Sequence, residues 1–359
     1  MKKNYATKIL TALTFLFFQL GFSQTTTWTG ASWDNGAPTI TVDAIISSGT
    51  CPILVDTEVK SIIIQDGAVL SVDESITLTI QDNIQVLGSG QFIVNNNASI
   101  LQNNALAVNI GNVTYKRNAM PMRQFEFTYW GSPVAGQVLN VFSPLTLGDK
   151  FYSYNSNPAV NNWVLENQIN VMTPGKGYAI RAPQGYTTTP QVFNGQFIGT
   201  PNNGNVPVNV EAFNPMLLNY NLLANPYPSA INVVTLFDNS NLGTLYFWTH
   251  NSAISSNVFT SDDYAIRTRT TGTAAVTGGT APGIYVAAGQ AFFASAGTTT
   301  TINFTNAMRV AGNNAQFYRS AQDLPLNYYF HLNMTNTLGA FKQIALGYQE
   351  DATNGYDFG

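Results

Sequence analysis

The sequence predicts an all-β fold: a β-solenoid or β-helix-like N-terminal region, then two related β-sandwich-like (jelly-roll-like) units. Three observations carry this expectation. Short aliphatic bursts recur every seven to nine residues over residues 61–98. No apolar helical period persists for the ~10 residues a helix assignment needs. The later part of the chain contains one pattern twice.

Residues 1–24 precede the β pattern. "MKKNYATK" is basic, "ILTALTFLFFQLGF" is apolar, and "SQ" follows before a Thr run. The apolar run is shorter than the ~18 residues of a membrane span, and its layout is that of a cleaved signal peptide. No other segment is long and apolar enough to cross a bilayer, so the processed chain carries no expected integral membrane segment. The whole chain holds 15 basic and 19 acidic residues, net −4. Losing Lys2, Lys3 and Lys8 leaves 12 against 19, or −7. A mildly acidic chain without basic clusters excludes nucleic acid as an expected partner. Charged residues make up 9% of the chain against roughly 25% in ordinary domains. Asn, Thr, Ser and Gly therefore supply the polar surface, as in extracellular β proteins. Cys51 stands alone, so no intramolecular disulfide forms and packing must hold the fold. A small buried hydrophobe is the expected role of that thiol.

Residues 25–115 open with "WTGASWDNGAPT" and continue as "SIIIQ", "AVLSV", "TLTIQ", "IQVLG", "QFIVN" and "ASILQ". Asp, Gly, Asn and Ser separate the bursts. The spacing is too short for helices and regular enough for strands joined by tight turns. Stacked units of this kind bury a continuous aliphatic column. A meandering sandwich carries the same turn signals.

Near residue 115 the texture changes to dense aromatics, and two units follow, 116–214 and 215–320. "YWGSPVAGQVLNVFSP" (129–144) parallels "LLANPYPSAINVVTLF" (222–237), with Pro133 and Pro226 offset by 226 − 133 = 93. "FYSYN" parallels "LYFWT", Tyr152 to Tyr246 being 246 − 152 = 94. "PGKGYAIRAP" parallels "AAGQAFFASAG", Gly175 to Gly289 being 289 − 175 = 114. The jump predicts an insertion of roughly twenty residues in the second copy, placed between Phe259 and Pro282 as a surface loop. The Gly-Lys-Gly of the first copy suggests a phosphate loop. Its counterpart replaces Lys176 by Gln290 and Gly177 by Ala291, and a strand follows where such a loop opens a helix. A glycine turn feeding a strand is the better reading, with Tyr178 or Phe292 entering the core.

Catalytic patterns are sparse. His250 and His331 lie outside any zinc-protease spacing, and no G-x-S-x-G elbow occurs. Glu126, Glu166, Asp149, Asp262 and Asp263 could serve a glycosidase only if folding pairs them. No catalytic residue and no resident cofactor are expected, and the chain reads as a non-enzyme. "EDATNGYD" offers a weak calcium loop at Asp351, Asn354 and Asp357, but Ala352 falls where an oxygen ligand belongs, and a hairpin turn competes. Trp130, Trp163 and Trp248, with Tyr152, Tyr154 and Tyr246, could form a stacking platform for sugar rings. Their duplication in both copies favours core packing.

The elements "YWGSPV", "PGKGY", "LLANPYPSAI", "AAGQAFFASA" and "FTNAMRVAGNNAQFYR" resemble those of large secreted surface proteins of Gram-negative bacteria that use type IX secretion. "NYYFHLNMTNTLGAFKQIALGYQEDATNGYDFG" is similar to the start of their C-terminal sorting domain. The resemblance covers residues 115–359 and implies a secreted, outer-surface location and delivery through the type IX machinery. Such a sorting domain would continue beyond Gly359, so residues 321–359 read as its truncated start, with a sheet edge left unpaired. The resulting expectation is an adhesin-like surface protein. Carbohydrate-binding modules that capture polysaccharide are the alternative, and a β-helix lyase or glycosidase comes third. The ligand would be a surface glycan or a protein.

Overall fold

The structure, a computed structural model, describes residues 24–157, 159–160, 162–213, 219–254, 259–315 and 317, and the backbone of 328–335 and 341–348. Residues 1–23 and the proposed calcium residues Asp351, Asn354 and Asp357 lie outside the described residues. The chain divides into two compact units, Met1–Arg319 and Ser320–Gly359. In the second, strands Tyr328–Thr335 and Phe341–Tyr348 pair antiparallel, with His331 opposite Ala345.

The first unit begins as a parallel solenoid of about four turns. Val42–Ile46, Ile62–Ile64 and Ile84–Val86 stack in one face, Thr50–Ile53, Val69–Val72 and Gln91–Val94 in a second, and Thr57–Val59, Thr77–Ile80 and Ser99–Gln102 in a third. The aliphatic bursts of the sequence are thus single sides of a three-sided coil. Parallel pairing between every third burst decides against the meander. Alternation along each strand turns one set of side chains inward, giving columns such as Ile46–Ile64–Val86 and Cys51–Leu70–Phe92–Val113. Cys51 is fully buried, and burial pushes its thiol up to about 12. At the far end Gln102, also buried, follows Val59 and Ile80 in its column. Its amide exchanges hydrogen bonds with Asn109 (2.9 and 2.7 Å), so the stack ends on a satisfied polar pair.

The last solenoid strand, Val113–Asn118, pairs parallel with Gln91–Val94 and antiparallel with Asn194–Pro201. Residue 115 lies within it, and the solenoid sheet runs on into the aromatic region without a linker.

That region holds two sheets of one design. The first has the order 127–130, 178–181, 151–154, 163–165. The second has 219–224, 291–296, 242–248, 264–267, plus the short 272–273. Equivalent strands therefore occupy equivalent places. Two short helices, Leu139–Phe142 and Val233–Asp238, recur behind the first strand of each copy and are too brief to show a period in sequence. Strand pairing also splits the predicted insertion. Tyr154 opposes Trp163 and Trp248 opposes Tyr264, so the offset is 94 at Trp248 and 264 − 163 = 101 at Tyr264. Seven of the extra residues lie in the 249–263 loop; the other 114 − 101 = 13 lie between Tyr264 and Gly289.

The copies meet reciprocally. The Gly131 N–H donates to the Gly289 carbonyl (3.0 Å), and the Ala224 N–H donates to the Gly175 carbonyl (2.9 Å). Trp130 bridges Gln290 while Lys176 bridges Leu223. These are matched pairs under the 93 and 114 offsets. Gly175 and Gly289 share a left-handed φ of 79° and 78°. The Gly-Lys-Gly stretch is thus one half of a mutual clasp between repeats. Lys176 itself pairs with Glu166 at 2.8 Å.

The end of the second unit, from Arg309 to Phe317, runs back along the solenoid. Arg309 donates to the Ile100 carbonyl (2.6 Å), Asn203 Oδ1 (3.1 Å) and Ser229 Oγ (3.1 Å). The Gly312 N–H reaches Thr77 Oγ1 at 2.9 Å, Asn314 donates to the Ala98 carbonyl at 2.6 Å, and Phe317 packs on Trp130 at 4.8 Å between ring centres.

Candidate functional site: an aromatic cleft between the repeats

Alternation gives each sheet two faces. In the first, Trp130, Phe151, Tyr178 and Ile180 point into the core shared with the solenoid, while Phe127, Tyr129, Tyr152, Tyr154 and Ala179 point the other way. In the second, Leu223, Phe247 and Phe292 enter a core of their own, and Tyr220, Leu222, Tyr246, Trp248 and Phe293 point outward from it. The outward faces meet as one aromatic layer. Tyr129 stacks on Trp248 (6.2 Å), and the Tyr129 and Tyr264 hydroxyls share a hydrogen bond of 2.7 Å.

Within this layer lies a cleft of about 470 Å³. Phe127, Tyr129, Tyr152, Trp163 and Ala179 of the first copy form one wall; Trp248, Tyr264 and the Phe259–Ser261 loop of the second form the other. That loop belongs to the 249–263 connection, which is seven residues longer than its counterpart 155–162 in the first copy. Phe259 is 46% exposed, whereas Tyr129 at 7% and Ala179 at 4% sit deep.

Among the described residues, no Asp, Glu, Lys, Arg or His lines the cleft. Burial raises the Tyr129 phenol well above its ordinary value, with Tyr264 adding to the shift, and burial likewise raises Tyr264. Both stay neutral across the physiological range. The cleft therefore offers ring faces and edges, three phenols that are each hydrogen-bonded, and the hydroxyl-bearing residues Thr260 and Ser261. Such a surface binds by dispersion and quadrupole contacts.

Trp163 and Trp248 stand half-buried on opposite walls of the cleft, as a ligand platform would need. Trp130 is corrected: at 1% exposure it is core, wedged among Phe142, Phe193 and Phe197, because its strand position has the opposite parity to Tyr129. Phe127, Tyr129, Ala179, Phe259 and Tyr264 were not singled out in sequence. The signal that finds the strand residues Phe127, Tyr129, Ala179 and Tyr264 is the two-residue period applied to both copies at once; Phe259 lies in a loop and has no such signal.

Four of the five candidate acids are engaged locally, and the fifth, Asp262, is exposed beside Ser261. Glu126 pairs with Arg123 (3.1 Å) and Asp149 with Lys150 (2.7 Å). For Glu166 burial works upward, but hydrogen bonds from Lys176, Ser153 and Asn170 outweigh it and hold its carboxyl below the ordinary value. Asp263 is buried and takes Thr277 Oγ1 (2.5 Å) and the Ser252 N–H. His250 is buried too. Its Nε2 accepts the Phe127 N–H at 2.9 Å and lies against the Phe127 carbonyl, so it secures the edge of the first sheet beside the cleft. Among the described residues no cluster of His, Cys, Asp and Glu forms a metal site.

The profile of a family described as "Domain of unknown function (DUF8693)" matches residues 21–359. The chain belongs to this family. No curated protein and no solved structure matches it. Among the described residues, no helix of this DUF8693 chain is long and apolar enough to cross a membrane.

Proposed function

We propose that the chain is an exported, non-enzymatic surface protein of adhesin-like type. In this reading the solenoid is the spacer and the twinned sheets hold a ligand in their shared cleft. The cleft carries the reading: aromatic rings from both repeats line a space open to a small ligand, and among the described residues that line it there is no carboxylate, histidine, lysine or arginine. The basic-then-apolar start, the charge-poor surface and the sorting-domain-like tail support export through type IX secretion. A cleaving role in the solenoid has little support. Asp34, Asp43, Asp56, Asp66, Asp73 and Asp82 each hold a local hydrogen bond or ion pair.

The second reading is carbohydrate capture, favoured by Trp163 and Trp248 on the two walls of the cleft. The test is a glycan and protein array probed with the processed full chain, alongside Trp163→Ala and Trp248→Ala. Binding lost in both variants, with wild-type circular dichroism retained, supports the cleft as the binding site. Binding that both variants keep removes it.

A further inference from the structure

The second repeat displays what fills this kind of space. Under the offsets already established, Ala179 corresponds to Phe293 (179 + 114 = 293). Pairing confirms the match from both sides. Ala179 opposes Tyr129 and Tyr152, and Phe293 opposes their counterparts Leu222 and Tyr246. Of the layer positions, this is the one where a large side chain in one copy faces a methyl group in the other.

The Phe293 ring sits in an aromatic nest. Its centre lies 4.7 Å from Tyr154, 5.5 Å from Tyr129, 5.9 Å from Trp163, 6.1 Å from Tyr264 and 6.3 Å from Tyr220. The counterparts of those neighbours are Trp248, Leu222, Tyr264, Trp163 and Phe127. Four of the five, all but Leu222, line the cleft above Ala179. The cleft therefore has the lining of a phenylalanine seat with the phenylalanine truncated to alanine, widened on one side by Phe259, Thr260 and Ser261.

We propose that the cleft binds an uncharged small molecule bearing a phenyl-sized aromatic ring, which takes the place above Ala179 that Phe293 takes in the other repeat. This rests on the cleft being the binding site proposed above. Edge-to-face contacts like those around Phe293 (81° to Tyr154, 89° to Tyr129) would hold the ring. The neutral lining disfavours charged ligands, whose desolvation no partner offsets. A polar substituent would reach Thr260 or Ser261. A sugar ring finds few of the hydrogen-bond partners its hydroxyls need.

The experiment is saturation-transfer NMR on the processed full chain with 4-methylphenol, methyl β-glucoside and a short peptide with a central Phe. Binding of 4-methylphenol is expected, with at least ~10-fold weaker affinity in Ala179→Phe, whose new ring fills the seat. Retained circular dichroism and an equal or higher melting temperature should accompany that loss. If that variant does not fold, Ala179→Leu serves the same purpose. Wild-type affinity for 4-methylphenol in a folded Ala179 variant overturns the proposal. So does glucoside binding alone, blocked by the variant, which would leave the cleft as a site and reject the ligand class. A peptide bound far more tightly than 4-methylphenol also overturns it, in favour of a protein partner. No binding by any probe rejects the ligand class while leaving the array experiment to judge the cleft.

Discussion

Tyr129 and Tyr264 share one hydrogen bond, 2.7 Å between their hydroxyl oxygens, although they belong to different repeats and lie 135 residues apart in sequence. It is a polar link across an otherwise aromatic layer. Tyr264→Phe leaves the buried Tyr129 hydroxyl without that partner and is expected to cost about 1–3 kcal/mol. Tyr129→Phe with Tyr264→Phe together should cost less than the sum of the single changes. Urea unfolding of the four proteins measures the difference, and strictly additive costs would refute the coupling.

The clasp between repeats admits no side chain at its centre. A Cβ on Gly131 would lie 2.0 Å from that of Ala224. Gly131→Ala should therefore destabilise by about 1–3 kcal/mol through overpacking. Ala224→Gly in the same chain should restore most of the loss, because these positions are counterparts facing one another. Thermal melts of the single and double variants decide the point.

Trp130 and Trp163 separate stability from binding. Trp130→Ala empties a site among Phe142, Phe193, Phe197 and Phe317 and should cost about 3–5 kcal/mol. Trp163→Ala, at the half-buried cleft wall, should cost clearly less while abolishing cleft ligands. Equal losses of stability in parallel chemical denaturations would refute the assignment of the two tryptophans to different environments.

How far the sequence carried this depended on the range of each signal. Period-two alternation and turn residues are local, so the all-β class and the stacked bursts of Ile62, Leu70 and Leu78 were legible. The duplication was legible because Pro133/Pro226 and Gly175/Gly289 keep turn chemistry. The cleft was not, since it depends on which faces of two sheets meet. Trp130 and Tyr129 are neighbours in sequence yet point into different layers, and a list of aromatics without parity merges them. The insertion was misplaced as one block because its first seven residues show only when Trp163 and Tyr264 are matched through their partners. Arg309, whose burial lowers its pKa to about 10, gave no sequence signal at all.

Lys176→Gln reproduces the second copy's residue and tests the turn reading. Losing the Glu166 pair should cost under about 1 kcal/mol, as befits a partly exposed ion pair. Isothermal titration with ATP should give no heat for either protein. Nucleotide binding that vanishes with Lys176 would restore the phosphate-loop alternative.

Alkaline pH probes the buried acids. Burial raises Cys51, from an ordinary 9.0 to about 12, and also raises Tyr115, Tyr129, Tyr227 and Tyr264 from 10.0. The stability these neutral groups contribute is complete below pH 9 and is lost as pH rises from there through the folded-state values. Tyrosinate absorbance should lag behind that of free tyrosine and then rise together with loss of β circular dichroism. A smooth titration near pH 10 with the fold intact would refute the burial of these phenols.

The return of residues 309–317 to the solenoid has a mechanical consequence. The chain enters the twinned sheets from the Val113–Asn118 strand and leaves them beside it, through Arg309 on Ile100, Gly312 on Thr77 and Asn314 on Ala98. Tension applied at Phe317 is therefore shared between the stacked coils, through Ile100, Thr77 and Ala98, and the sheets, through Trp130 and Ser229. Entry and exit of the twinned sheets thus sit side by side on the solenoid, so a pull on the chain does not draw the two repeats apart end to end.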